Sequence, residues 1–148
     1  MEHFQFIQRE LTLKEAQQIE EGFDNLYKEE GIALESTEKK SIVVMKNHEL
    51  IGCALGLAYK NGEMYSGWFY LTELFIAKEF RSQGLGAALL RALEDKVKQL
   101  GINKVWLWTS GAASLRFYKR MEYSPFAELE NWYSDGSTKV GLRKNLTA

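Results

Sequence analysis

The stretch WFYLTELFI at residues 68–76, followed by RSQGLGA at residues 81–87, decides how this chain folds. Its first part is sharply bounded and rich in aromatic and β-branched side chains, which is typical of a buried strand. After the second part, apolar residues recur at helical spacing with charged residues on the opposite side, which predicts an amphipathic helix. The apolar stripe of that helix consists of Leu85, Leu89, Leu93, Val97 and Leu100.

The predicted helix begins at Gly84 and Gly86. The first backbone N–H groups of a helix have no internal acceptors and lie at the positive end of its dipole, so this turn can bind an anion such as a pyrophosphate. Glycine lets such a ligand approach the backbone closely. The turn lacks both the Lys-Ser/Thr ending of a P-loop and the acidic partner of a dinucleotide fold. We therefore expect the pyrophosphate to belong to another carrier.

The composition is typical of a globular domain. With 148 residues, 45% of them hydrophobic and 26% charged, the chain is long enough to bury a core, and we expect one domain over residues 1–148. A net charge of −1 disfavours a general nucleic-acid surface. The absence of a signal peptide and of an apolar run of about 18 residues predicts a cytoplasmic protein without a membrane segment. The one cysteine, Cys53, is predicted to be a core thiol in a reducing compartment.

The N-terminal part combines a predicted strand and a predicted helix. Residues 4–9 alternate in a way that predicts a first strand. Thr12 and Glu15 have the spacing of a capping box, so a helix is predicted to begin there and to end near Gly31. Residues 29–40 are polar without a strong period, which predicts a loop or a short second helix.

Three strands then form a predicted antiparallel meander. The polar residues 46–49 and the pair Asn61-Gly62 are hairpin signals between them. The glycines within the second strand mark bulges or close packing against a helix. The three predicted strands are 41–45, 50–59 and 68–76.

The chain is predicted to continue from the central helix into a parallel strand. Gly101 caps the helix, and a strand–helix–strand unit of this length has to cross over, so the strands before and after it are parallel neighbours. The later predicted elements are strand 104–109, helix 110–123 ended by Pro125, and strands 126–132 and 138–142 joined around Asp135-Gly136.

Two motifs carry a family resemblance. Arg81-x-x-Gly84-x-Gly86 resembles the first signature of the GNAT N-acetyltransferase superfamily, and Phe117-Tyr118-Lys119-Arg120 resembles its second signature at the expected distance. The resemblance implies a mixed α/β (α+β) fold whose mostly antiparallel central sheet is splayed at a parallel strand pair, with helices on both faces. The string at residues 70–76 is similar to members that acetylate polyamines and other small amines.

The resemblance implies an acetyl-CoA site and an acid. Tyr118 has the family role of donating a proton to the departing CoA thiolate, which suits a phenol that is neutral at pH 7. Family members often carry Asn seven residues before this tyrosine and Gly-Phe after it, where this chain has Gly111 and Glu122-Tyr123, so Ser110 and Ser114 are candidates for the missing polar contact. The implied cofactor-binding residues are Leu74, Phe75 and Ile76 along the pantetheine arm, Arg81, Ser82, Gln83, Gly84, Leu85, Gly86 and Ala87 around the pyrophosphate, and Ser114.

The reaction also needs a base, because the amine must lose a proton before or during its attack on the thioester. Glu73 is the leading candidate, since it lies inside an otherwise apolar strand where an unpaired charge is costly. Polyamine-type relatives carry their carboxylate at the position of Thr72, so a base acting through water at Thr72 stays open. Strand alternation predicts that Thr72 shares a face with Tyr70, whereas Glu73 shares one with Leu71.

The predicted acceptor is the primary amine of a small molecule. Aromatic residues are expected to wall its groove, and Glu128, Glu130 and Asp135 are expected to attract a cation. Protein N-termini or lysines are the alternative acceptors, and a non-catalytic CoA-binding sensor is the alternative function. We expect no metal site, and neither His3 nor His48 is expected to be a ligand. Pairing of the C-terminal hairpin between two chains would give a homodimer. The predicted substrate-binding residues are Trp68, Tyr70, Thr72 and Tyr133, with Trp132 beside them.

Overall fold

The computed structural model describes residues 3–146. The backbone clusters into two compact units, one ending at Leu34 and the other beginning at Glu35. The single domain over residues 1–148 stays a prediction. Among the described residues, no helix is long and apolar enough to cross a membrane.

The first unit contains one helix, α1 (Leu13–Glu29), whose predicted capping box is confirmed. The Glu15 N–H donates to Thr12 Oγ1 at 3.1 Å, and Glu15 Oε1 accepts from the Thr12 N–H at 2.9 Å. Arg9 donates to both carboxylate oxygens of Glu15 at 2.8 and 2.9 Å and, together with the Thr12 N–H, lowers the pKa of Glu15 to about 2. Gly31 follows the helix with φ +72°, as predicted for its end.

The predicted strand at residues 4–9 is wrong, because these described residues form no strand. Alternating side chains favour a strand only if a neighbouring strand also pairs with its backbone groups. Arg9, at the end of this segment, instead takes part in the cap of α1 through Glu15.

The second unit is built on a six-stranded sheet with the order β1-β2-β3-β4-β6-β5. Within residues 35–146, β3 and β4 are parallel and the other neighbouring pairs are antiparallel, which confirms the predicted fold class. The strands are β1 (Glu35–Lys46), β2 (Glu49–Asn61), β3 (Met64–Ile76), β4 (Lys104–Thr109), β5 (Ser124–Leu129) and β6 (Lys139–Asn145). The helices are α2 (Leu85–Gln99) and α3 (Ala112–Arg120), with a short 3₁₀ turn at Lys78–Phe80.

Strand β1 is longer than predicted. Residues 35–40, predicted to be a loop or part of a short helix, pair with β2 as far as Glu35 opposite Asn61. The charged side chains of this segment are the reason that the sequence does not predict a strand there. They suit a strand at the edge of the sheet, because charges discourage pairing with another chain. Glu38 also accepts a hydrogen bond from the Tyr65 hydroxyl at 2.8 Å.

Helices α2 and α3 contribute to one hydrophobic core with the sheet. Gly56 shows how closely β2 and β3 approach within the sheet, because a Cβ there would overlap the Phe69 ring and the Tyr70 carbonyl oxygen. The pairing register shifts between Leu55 and Gly56, which confirms the bulge predicted at these glycines, whereas the close contact is with β3 and not with a helix. Cys53, predicted to be a core thiol, is half-buried. The largest fully buried side chains are Phe69, Leu90, Leu93, Val97, Ile102, Val105, Leu107 and Leu142.

The ends of α2 lie where the sequence predicts them. Gly84 precedes the helix in the left-handed conformation with φ 81°, and Gly101 follows it with φ +86°. The Ile102 N–H donates to the Val97 carbonyl at 3.1 Å and closes the last turn. Helix α3 is shorter than the predicted 110–123, because Glu122 has φ +73° and ends the helical backbone.

Candidate active site

A cavity of about 500 Å³ lies at the start of α2. The predicted cofactor-binding residues that line it are Ile76, Arg81, Ser82, Gly84, Leu85, Gly86 and Ala87. The predicted residues that do not line it are Leu74, Phe75, Gln83 and Ser114.

The start of α2 carries no side-chain cap from the described residues. Its first backbone bond joins the Ala88 N–H to the Gly84 carbonyl at 3.1 Å, so the N–H groups of residues 85–87 precede the internal ladder. In helix α1, by contrast, Thr12 Oγ1 accepts a hydrogen bond from one of the equivalent groups, the Glu15 N–H. The start of α2 is therefore open toward the cavity, and the binding of an anion there stays a prediction.

Arg81 connects the glycine turn to the end of β3 by a hydrogen bond. Its Nε donates to the Ile76 carbonyl at 2.8 Å, and its guanidinium lies 5.8 Å from the centre of the Phe75 ring. Ser82, the next residue, has φ +63° and turns the chain sharply toward Gly84. The arginine therefore shapes the turn and also contributes a positive charge to the cavity wall.

Five residues of the cavity wall are not among the predicted site residues. Arg91 and Arg120 bring two further positive charges, which suit a ligand that carries phosphates. Arg120 stands in the second signature and was identifiable from it, whereas Arg91 looks like an ordinary residue on the polar side of a helix. The missed residues are Phe80, Arg91, Phe117, Arg120 and Met121.

The two glycines of the turn are expected to respond differently to alanine. Gly84→Ala places a Cβ on a left-handed backbone and is expected to lower the free energy of unfolding by about 1–2 kcal/mol. Gly86→Ala is expected to preserve or raise stability by up to about 1 kcal/mol, because Gly86 is helical and its Cβ would lie 3.7 Å from the Phe117 ring.

Urea denaturation of both variants measures this difference. Gly84→Asn is the control, since Asn tolerates the left-handed conformation better than Ala does. An equal loss of stability for Gly84→Ala and Gly86→Ala would contradict the assignment of backbone strain to Gly84.

The bulge in β3 changes which residues share a face. Leu55 pairs with Glu73 and Gly56 pairs with Leu71, so Thr72 is an extra residue between them. Directly paired residues share a face of the sheet. The residues of β3 opposite the glycines and alanines of β2 are Phe69, Leu71, Leu74 and Ile76, and those opposite the alternate residues of β2 are Tyr70, Glu73 and Phe75.

The predicted grouping of Glu73 with Leu71 is therefore wrong. A regular alternation cannot reveal the one-residue insertion that reverses the faces after Leu71. Glu73 is exposed, so the expected cost of burying its charge is also wrong. Its carboxylate makes no hydrogen bond or ion pair with another residue in the described part of the chain, whereas Thr72 Oγ1 donates to the Leu55 carbonyl at 3.0 Å.

The parallel strands separate next to this bulge. Their paired residues end with Tyr70 opposite Trp106, although β3 continues to Ile76 and β4 continues to Thr109. Tyr70, the last paired residue of β3, lies two residues before Thr72 and three before Glu73. The structure thus has the predicted splay, with Glu73 on the face of Tyr70.

Tyr118 lies in the core beside the cavity wall. It is 8% exposed, and its ring meets those of Phe117 and Tyr123 edge-on at 5.1 and 5.6 Å between centres. Phe117 and Met121, on either side of it in the sequence, line the cavity. Burial raises the pKa of Tyr118 to about 12, which keeps the phenol protonated at neutral pH.

The raised pKa of Tyr118 predicts a loss of stability in alkali. Because the folded-state pKa of Tyr118 lies above the ordinary value of about 10, the protonated phenol contributes to the free energy of unfolding. This contribution is fully present below pH 10 and disappears as the pH rises through 12. A difference of two pKa units limits the contribution to about 3 kcal/mol. We expect the free energy of unfolding to fall more steeply between pH 10 and 12 in the wild type than in Tyr118→Phe. Parallel slopes in denaturation series of the two proteins would contradict the shift.

Ser114 has a structural partner. Its Oγ lies 2.7 Å from Thr109 Oγ1, a hydrogen bond that joins the beginning of α3 to the end of β4. A role of Ser114 toward the cofactor stays a prediction.

The predicted acceptor residues lie in several places. Tyr70 stacks on Trp106 with ring centres 4.1 Å apart, and Trp68 helps to line a second cavity of about 350 Å³ with Trp106, Phe126 and Arg143. Lys104 and Arg143 lie 5.3 and 4.7 Å from the centre of the Trp68 ring. This ring therefore already has cationic neighbours from its own chain.

The loop between β5 and β6 holds the other predicted acceptor residues. Tyr133 accepts a backbone hydrogen bond from Gly136 at 2.9 Å, and Trp132 lies under Lys139 at 4.4 Å. Asp135 accepts from the Ser137 N–H and hydroxyl at 2.9 and 2.7 Å, which lowers the pKa of Asp135. Asp135 therefore stabilises the turn, and its predicted use in attracting an amine lacks support from this geometry.

Comparison with known proteins identifies the family. Residues 4–123 match the acetyltransferase (GNAT) family, and the chain belongs to it. N-alpha-acetyltransferase 30 of Schizosaccharomyces pombe (strain 972 / ATCC 24843) is 29% identical over 100 residues, which are 66% of this chain and 65% of that protein. The chain thus spans about 65% of the length of this curated relative.

Solved structures share the fold. An acetyltransferase from Bacillus cereus ATCC 14579 matches with a TM-score of 0.76 at 20% identity, over 95% of this chain and 97% of the other. The NatC complex bound to Gag peptide and CoA matches with a TM-score of 0.62 at 17% identity, over 88% and 79%. The predictions of GNAT membership, of the fold and of acetyl-CoA as the cosubstrate are confirmed at the level of the family.

Proposed function

We propose that this protein transfers an acetyl group from acetyl-CoA to the primary amine of a small molecule by direct attack on the thioester. The observation that carries the proposal is the uncapped start of α2 beside a cavity of about 500 Å³. Open backbone donors at a helix start bind phosphate groups well. Arg81, Arg91 and Arg120 add positive charge around the same cavity.

The acetyl-CoA half of the site follows from this arrangement. The N–H groups of residues 85–87 bind the pyrophosphate, and the end of β3 lies alongside the pantetheine arm. Arg91 and Arg120 are the side chains that balance the remaining phosphate charge. The separation of β3 from β4 gives the thioester a place next to Glu73.

Glu73 and Tyr118 divide the proton transfers. Glu73 takes a proton from the acceptor ammonium, and the free amine forms a C–N bond to the acetyl carbonyl carbon as the C–S bond breaks. Tyr118 gives its phenolic proton to the departing sulfur, and the newly acylated nitrogen releases its second proton to solvent. Solvent then returns a proton to Tyr118 and accepts one from Glu73, so the catalyst is restored and one proton is released overall.

A peptide N-terminus is the second candidate acceptor. The observation that favours it is the similarity to a protein named N-alpha-acetyltransferase 30. The proposal that the acceptor is a small amine rests on the resemblance of residues 70–76 to polyamine-type members. A cytoplasmic location and a homodimer also stay predictions.

Release of the CoA thiol distinguishes these acceptors. Acetyl-CoA is offered with polyamines, amino sugars and short peptides that have a free N-terminus. Higher kcat/KM for the small amines supports the proposal, and turnover with peptides alone favours the second candidate. Binding of acetyl-CoA without turnover of any acceptor would overturn the enzymatic proposal in favour of a CoA-binding sensor.

A further inference from the structure

Glu94 is a buried carboxylate that the proposed reaction does not use. It lies in the middle of α2 and is 7% exposed. Its Oε2 accepts a hydrogen bond from the Tyr123 hydroxyl at 2.6 Å, and its Oε1 accepts one from Lys144 Nζ at 2.9 Å. A buried carboxylate is costly unless both oxygens find partners, and here both do.

The three side chains connect separate elements of the second unit. Glu94 belongs to α2, Tyr123 follows α3, and Lys144 belongs to β6. The Lys144 ammonium also lies 5.5 Å from the centre of the Tyr123 ring. The Tyr123 hydroxyl therefore ties the segment after α3 to the helix whose first turn faces the cavity.

Tyr123 contacts the proposed acid in two ways. The two rings meet edge-on, with centres 5.6 Å apart and planes at 70°. The Tyr123 N–H donates to the Tyr118 carbonyl at 2.9 Å. Both side chains are almost fully buried, so a displacement of the Tyr123 ring has to move the Tyr118 ring as well.

The hydroxyl of Tyr123 distinguishes this chain from the family signature. Where the signature often has Gly-Phe, this chain has Glu122-Tyr123. A phenylalanine would fill the same ring space, so packing alone does not require the hydroxyl. The hydroxyl adds a hydrogen bond between α2 and the end of α3.

We propose that Tyr123 is a positioning residue for Tyr118. By bonding to Glu94, Tyr123 holds the Tyr118 ring in place relative to the start of α2, which binds the phosphates of the cosubstrate. This inference rests on the proposed function, in which Tyr118 protonates the leaving sulfur. Proton donors act efficiently when they are held within hydrogen-bond reach of the reacting atom, so a small displacement slows the chemical step.

The expected effect of Tyr123→Phe is a fall in kcat of about tenfold, with KM for acetyl-CoA unchanged within about twofold. The variant keeps the ring and removes the hydrogen bond to Glu94. In a Tyr118→Phe background, the same substitution is expected to lower kcat by less than about twofold, because the group that it positions is already absent.

Tyr65→Phe is the matched control. The Tyr65 hydroxyl also donates to a carboxylate, that of Glu38, at 2.8 Å. This variant deletes the same kind of bond elsewhere in the protein and is expected to leave kcat unchanged. Near-ultraviolet circular dichroism verifies that every variant is folded at the assay temperature.

The wild type, Tyr118→Phe, Tyr123→Phe and the double variant form a double-mutant cycle, which distinguishes a failure of this inference from a failure of the proposed function. An equal loss of kcat from Tyr123→Phe in both backgrounds overturns the positioning role and leaves the acid role of Tyr118 intact. An unchanged kcat in Tyr118→Phe overturns the acid role and with it this inference. If Tyr123→Phe does not fold, Glu94→Gln replaces it, and its loss of kcat must likewise disappear in the Tyr118→Phe background for the inference to stand.

Discussion

Tyr118→Phe is expected to lower kcat by about 10²–10³-fold while KM for acetyl-CoA stays within about twofold. The substitution removes the phenolic proton that stabilises the departing thiolate and leaves the buried ring in place. Because the pKa of Tyr118 is raised to about 12, the wild-type phenol carries its proton throughout the working pH range. The cavity wall beside it is provided by Phe117 and Met121, which the substitution does not change.

Steady-state kinetics with acetyl-CoA and isothermal titration with CoA measure the two halves of this expectation. Tyr59→Phe is the control, since burial also raises the pKa of Tyr59, which is half-buried and lies in β2. Turnover by Tyr118→Phe at the wild-type rate would show that another group protonates the sulfur. A loss of CoA binding in the variant would instead indicate a structural role for the hydroxyl.

Glu73→Gln is expected to lower kcat/KM by about 10²-fold and to remove the acid limb of the pH profile. The amide keeps the size of the side chain but cannot accept the proton of the acceptor ammonium. Glu73 is the exposed carboxylate next to the point where β3 and β4 separate, and it shares the face of Tyr70. Within residues 3–146 its carboxylate makes no hydrogen bond or ion pair with another residue, which leaves both oxygens available to the amine.

The pH profile of kcat/KM provides the measurement for Glu73. Glu79→Gln, at an exposed carboxylate in the 3₁₀ turn, is the control and is expected to retain the wild-type profile. Thr72→Val tests the competing route through water, because it removes the hydroxyl that now bonds to the Leu55 carbonyl. A Glu73→Gln profile that coincides with that of the wild type would exclude Glu73 as the base, and a large loss in Thr72→Val alone would favour the water route.

Much of the lining of the cavity at the start of α2 was predictable, whereas the face on which Glu73 lies was not. The glycine turn and the second signature are short continuous motifs, so most of the residues that surround the cavity lie within them. Phe80, Arg91 and Met121 lie outside both motifs, and only the tertiary packing places them in the cavity wall. The face of Glu73 could not be predicted, since a bulge depends on the register of two strands.

Elements whose signals are local were predictable from the sequence. The capping box of α1, the beginning and end of α2 and the span of β4 depend on residues a few positions apart, and the structure confirms them. Three features became visible only in the folded structure: the length of β1, the bulge at Thr72 and the hydrogen bond between Glu94 and Tyr123. Each of these requires a partner that is distant in the sequence, and only folding fixes the register and packing that bring the two together.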